Sequence, residues 1–196
     1  MELKVNGQHV DITLEGEKSV GEVLKAFEEE AAKNNATTIS IKIDGKDIPA
    51  EDFEKAVASP IKENTLIELS VITKGEILEL LKTSKDGLKE TASSLKEISV
   101  LLQNNRDGEV NQIVSRLAGE IDSFCHAATL SALFPDLYSL LKIEDKEIGE
   151  FFEEFAPVLR DFEEAFENKD TVTTGDLAEY EIAPRLEAVC SSLEKL

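Results

Sequence analysis

The chain has 196 residues, enough for one large or two small domains, and its 32% charged and 41% hydrophobic residues are a globular balance rather than a disordered one. Its net charge is −20, spread over both parts: residues 1–73 hold 8 Lys plus Arg against 15 Asp plus Glu, and the remainder 13 against 26. Such a surface lacks the basic footprint that nucleic acid demands and is repelled by anionic membranes, while a basic protein partner would be drawn to it.

Taken in chain order, Leu3 and Val5, then Val10, Ile12 and Leu14, alternate with polar residues in the period of half-buried strands. Asn6-Gly7 between them predicts a type I′ hairpin, whose central residues both need positive φ. Ser19 is an N-cap with Glu22 as its capping-box partner, opening a helix that carries Val20, Val23, Leu24, Phe27 and Ala31 on one face. Asn34-Asn35 ends it. A second hairpin places Ile39, Ile41 and Ile43 ahead of Asp44-Gly45 and returns through Ile48. Residues 49–60 read as a short helical turn with Phe53 and Val57 reaching inward, and Ile67, Leu69 and Val71 form a last strand.

This order, with the phrases Ile43-Asp44-Gly45-Lys46-Asp47-Ile48 and Lys62-Glu63-Asn64-Thr65-Leu66, resembles the ubiquitin-like β-grasp superfold over residues 1–73. The resemblance implies a docking module, since a superfold hosts many functions. The features of a conjugated tag or electron carrier are missing. The last strand runs into Thr73-Lys74-Gly75-Glu76 rather than an exposed Gly-Gly, and these residues hold none of the four cysteines a plant-type ferredoxin needs.

From Gly75 the period becomes helical. Ile77, Leu81, Ser84, Leu88, Ala92, Leu95, Ile98 and Leu102 predict one helix of about 28 residues, stopped by the cluster 104–108. Val110, Val114, Leu117, Ile121, Phe124 and Ala128 mark a second, and a short helix follows over 136–141. Asp145 is placed as the cap of a third long helix carrying Ile148, Phe152, Phe155, Leu159, Phe162 and Phe166, kinked at Pro157. A final helix starts near Thr174, with Thr173 and Asp176 as its capping box and Leu177, Tyr180, Pro184, Leu186, Val189 and Leu193 on its seam. The fold class expected is therefore α+β: a β-grasp domain over 1–73, then an acidic four- or five-helix bundle over 74–196.

Little in the chain announces chemistry. Di-metal bundles need Glu-x-x-His on two helices, whereas this half has the single histidine His126, without a glutamate three residues earlier. His9 has no neighbouring ligand set. Cys125 and His126 are adjacent on a helix and diverge by about 100°, so they make no thiolate pair. Cys125 and Cys190 sit among apolar helical neighbours, as free cysteines in a reducing compartment do. No phosphate loop or hydrolase elbow appears. No cofactor and no metal are expected.

Two features remain as candidate partner-binding sites. Phe151 and Phe152 cannot both face one narrow seam, which leaves Phe151 to face a partner's amphipathic helix. Asp176, Glu179 and Glu181 surround Tyr180, framing either an acidic site or simply a helix start in which the tyrosine buries its ring. The segment 170–186 is similar to helix starts in uncharacterised bacterial helical proteins.

The reading that follows is a cytoplasmic, non-catalytic adaptor or chaperone-like protein. No leader and no membrane span are expected of it, and it is expected to bind, through the helical bundle and/or the β-grasp face, a protein partner that is basic or presents an amphipathic helix. Its layout resembles BAG-type co-chaperones, which place a ubiquitin-like domain before a helical bundle, although their partner-binding helices are basic where these are acidic. Flagellar or secretion-type export chaperones, small acidic helical proteins with an apolar groove, are an alternative. An enzyme or ligand-binding protein without a short motif is another.

Overall fold

Two tight turns organise the N-terminal sheet in the computed structural model, which describes residues 1–14 and 16–196. Asn6 and Gly7 have φ of 49° and 78°, and Asp44 and Gly45 have 50° and 79°, so both hairpins close through left-handed pairs as their dipeptides predict. The first joins β1 (Glu2–Val5) to β2 (Gln8–Val10), and the second joins β3 (Ala36–Ile43) to β4 (Lys46–Asp47). Between the hairpins lies β5 (Leu66–Thr73), parallel to β1 and antiparallel to β3. The sheet order is β2-β1-β5-β3-β4, the mixed five-stranded arrangement of a β-grasp.

The turn side chains also hold β5 in place. Asn6 Oδ1 accepts from the Val71 N–H at 2.8 Å while its Nδ2 donates to the Val71 carbonyl at 3.0 Å. At the other end of β5, Asp44 Oδ1 accepts from the Leu66 N–H at 2.9 Å. Asparagine and aspartate thus serve twice, tolerating positive φ and pairing the central strand. Helix α1 (Val20–Lys33) begins with the predicted capping box and covers the sheet, closing a core of Leu3, Val20, Val23, Leu24, Ile67 and Leu69.

Three expectations in this unit need correction. Strand β2 stops at Val10 instead of reaching Leu14, and Ile12 and Leu14 are 37% and 42% exposed. Continuing the Leu3–Val10 register would set Asp11 directly opposite Glu2, two carboxylates across a ladder. Ile39 does not share a face with Ile41 and Ile43, because a bulge between Thr38 and Ser40 turns it into solvent. Phe53, at the start of α2 (Phe53–Val57) after a 3-10 turn over Ala50–Asp52, is exposed; only Val57 packs inward, against α1 where Gly21 leaves room.

The chain divides into two compact units, Met1–Glu76 and Ile77–Leu196. Helix α3 (Lys74–Leu95) starts with a second capping box that went unnoticed in the sequence. Thr73 Oγ1 accepts from the Glu76 N–H at 3.1 Å, and the Glu76 carboxylate accepts from the Thr73 hydroxyl and the Thr73 N–H, both at 2.7 Å, which holds the Glu76 carboxyl below its ordinary range.

The helical unit has four long rods: α3, α5 (Asp107–Ser131), α7 (Ile148–Glu167) and a run from α8 (Thr171–Asp176) to α9 (Ala183–Leu193). The single 28-residue helix expected first is two. A break at Lys96-Glu97 separates α3 from α4 (Ile98–Gln103). Ser93 and Ser94 donate back to the Lys89 and Glu90 carbonyls just before it, a pattern that bends helices, and Leu95 and Ile98 both stay fully buried across the break. After α6 (Pro135–Tyr138), a small hairpin of β6 (Lys142–Ile143) and β7 (Lys146–Glu147) turns through Glu144 and Asp145 at φ of 52° and 65°. Asp145 is therefore a turn residue; Glu147 precedes α7 as its N-cap.

The last rod is π-helical over Leu177–Ile182. Pro184 explains the widening: it has no N–H for the Tyr180 carbonyl, and its ring would press on that carbonyl in a regular α-turn. The Ala183 N–H reaches instead to the Ala178 carbonyl. Asp170 caps α8 by accepting from the Thr173 N–H at 3.1 Å, so the capping box placed at Thr173 and Asp176 is not the one used.

Candidate functional site

The π segment positions the acidic tyrosine. Tyr180 is 65% exposed, hydrogen-bonded to Glu179 and facing its charge and that of Asp176, all of which push its hydroxyl pKa up. Glu181 turns the other way, 2.5 Å from Arg185, whose Nη1 also donates to the Glu181 carbonyl at 2.8 Å. The structure thus brings together Asp176, Glu179 and Tyr180 but not Glu181. The ring lies in water rather than on the seam, which runs through Ala178, Ile182 and Leu186. The phenol sits on an open surface with the Glu179 and Asp176 carboxylates as its charged neighbours.

Phe151 is a clear correction. It is 3% exposed and packs edge-on to Phe152 at 5.5 Å and against Phe155 at 5.6 Å. The half-buried ring is Phe152, stacked 6.1 Å from Phe124. The buried row of α7 is Phe151, Phe155, Phe162 and Ala165: Phe155 and Phe162 lie on the seam as expected, while Phe151 and Ala165 take the places expected of Phe152 and Phe166. Phe151 therefore offers no face to a partner.

The cysteines are likewise quiet. Burial and the nearby Asp122 push the Cys125 thiol up, and burial raises that of Cys190, whose Sγ donates to the Lys85 carbonyl at 3.5 Å. His126 is exposed. Among the described residues no group of three His, Cys, Asp or Glu side chains could hold a metal ion, and no helix is long and apolar enough to cross a membrane.

A site-like concavity lies in the N-terminal unit, between α1 and the segment after β2. It measures about 430 Å³, the size of a ligand cleft, and is walled by Leu3, Val10, Val23 and Phe27 with Ile12 and Leu14 at its mouth. Among the described residues its charged lining is Glu17 and Glu30, with no Lys or Arg. Glu30 is met from outside by Lys33 at 2.7 Å. A second groove of about 390 Å³ runs along the bulged part of β3 to Phe53, with Ile39 on its wall. A third, about 420 Å³, sits at one end of the helical unit between Leu102, Asn105, Phe166 and Thr174.

Sequence reasoning missed the first of these. Its signal was present in the alternation of Val10, Ile12 and Leu14, which outlasts the strand able to pair with it.

The comparisons with known proteins follow the same division of the chain. A family model described as a domain of unknown function (DUF8042) matches residues 75–191. The chain belongs to that family. A second model, described as the TP0873 N-terminal domain, matches residues 1–73, so the two meet where β5 gives way to α3. A relative recorded as an "Uncharacterized protein" of Treponema pallidum (strain Nichols) is 29% identical over 184 residues, covering 94% of this chain and 92% of its own length. No solved structure matches the chain.

Proposed function

We propose that this chain is a non-catalytic protein-interaction protein whose N-terminal unit docks a basic partner at the pocket between α1 and the segment after β2. The carrying observation is that pocket: apolar walls, two exposed aliphatic side chains at its mouth, and, among the described residues, carboxylates as its charged lining. An apolar anchor flanked by positive charge would bury surface in the pocket and meet Glu17 and Glu30 at its rim. The charge of −20 adds long-range attraction for such a partner. The aromatics that would equip the helical unit as an export-type groove are instead spent on its own core, which favours the scaffold role for that unit.

Affinity capture from native lysate tests this reading when run beside the Ile12→Asp/Leu14→Asp double variant. Both positions are exposed, so the variant should keep the wild-type melting temperature. The expected result is a captured protein that high salt releases and the variant fails to retain. An unchanged set of captured proteins would count against the pocket.

A further inference from the structure

We infer that the partner binds as an added β-strand along the outer edge of β2, extending it through Leu14 and placing alternate apolar side chains in the pocket. This rests on the pocket's being a protein-docking site, and it specifies the partner: an extended segment with apolar residues at every second position and Lys or Arg at its ends.

Three observations combine. The sheet order leaves β2 outermost, with β1 on one side and, among the described residues, no strand on the other, so the backbone groups along that edge are available to a ladder. Beyond Val10 the sequence keeps strand periodicity for four residues, yet no backbone hydrogen bond between described residues joins residues 11–14 to another element. This segment has strand patterning and no ladder. Finally, Val10, Ile12 and Leu14 fall on one face by their spacing of two, and all three line the pocket with Phe27 of α1 opposite.

A strand lying about 4.8 Å outside β2 would direct its own alternate side chains to that same face. Each would enter the space between Leu14, Ile12 and the α1 surface. An incoming helix satisfies its own backbone and could use the pocket but not the edge. Charge completes the specification. Residues 11–17 contain three acidic residues and no basic one, and the Lys33–Glu30 pair at the rim is exposed and therefore readily exchanged for an incoming cation. The same charge makes a second copy of this chain a poor occupant, because two acidic rims would meet.

The test uses the full chain and two short synthetic peptides of identical composition. One carries Val, Ile and Val at alternate central positions between terminal lysine pairs. The other carries the same residues at helical spacing. By fluorescence anisotropy the alternating peptide should bind at least about tenfold tighter, and binding should weaken with salt. Amide hydrogen exchange should slow across residues 8–14 in the complex and be unchanged in the Ile12→Asp/Leu14→Asp variant.

If the helical-spaced peptide binds as well or better, and the double variant abolishes it, strand addition is wrong while the docking reading stands. If the alternating peptide fails to bind, or binds without slowing exchange across 8–14, the inference is likewise overturned. A strand peptide that binds the double variant undiminished would sink both.

Discussion

The two units treat their exposed apolar side chains in opposite ways. In the N-terminal unit the exposed large ones are paired around concavities: Ile12 and Leu14 on one pocket, Ile39 and Phe53 on one groove. In the helical unit Leu80, Val100, Leu133, Leu140, Val172, Tyr180 and Leu196 are spread along the chain, and none lines the pocket between Leu102 and Thr174. Single exposed aliphatics are ordinary on any surface, whereas clustered ones beside a cleft mark a place where something binds. The exposed apolar side chains that flank a cleft are therefore those of the smaller unit, as the proposed docking role requires of it.

The contrast can be pressed first where it predicts the largest effect. Phe155 is 1% exposed and sits among Phe151 and Phe152, so Phe155→Ala should cost about 3–5 kcal/mol in chemical denaturation. A near-neutral result would mean that the aromatic row of α7 is not the core of a scaffold.

Glycine substitutions sharpen the comparison at smaller amplitude. Gly119 in α5 has open space at its Cβ position, so Gly119→Ala should stabilise by about 0.5–1 kcal/mol through helix propensity. In α1 the same change at Gly21 meets the Val57 Cβ at 2.9 Å and its carbonyl oxygen at 3.0 Å. The clash should outweigh propensity and destabilise by about 1–3 kcal/mol. Equal signs for the two, read from melting curves, would contradict the close approach of α2 to α1.

An effect comparable with that at Gly119 concerns the caps. Ser19→Ala should cost about 1 kcal/mol by removing the acceptor for the Glu22 N–H. Glu22 itself accepts from the Lys18 and Ser19 N–H groups, which holds its carboxyl below the ordinary 4.5. A carboxyl depressed by folding stabilises at pH above its unfolded value, and that contribution disappears as the pH falls through the folded value. The difference in stability between the wild type and Glu22→Gln should therefore shrink in acid below 4.5 and stay constant above it. A difference independent of pH would remove the charge from the cap.

What could be read from the sequence follows the kind of signal involved. Asn6-Gly7, Asp44-Gly45 and the Ser19–Glu22 box are local, because each demands a particular backbone conformation whatever surrounds it, and all three form as expected. The seam of α7 is not local. Phe151 and Phe152 are equally apolar, and only the surrounding helices decide which of them is buried. The Glu144-Asp145 turn lacks the glycine that would have announced it. The π segment required linking Pro184 to the carbonyl four residues earlier. The end of β2 depended on what stands across the ladder from Asp11, information that no pattern within 8–14 contains.

The central claim is that the acidic, apolar-walled pocket of the N-terminal unit is where this protein meets its partner. A heteronuclear NMR titration of the full chain with the lysine-flanked alternating peptide tests it most directly. The account predicts shifts confined to residues 8–14 and to the pocket face of α1 around Phe27 and Glu30. Shifts centred instead on the helical unit, at Tyr180 or along α7, would contradict it.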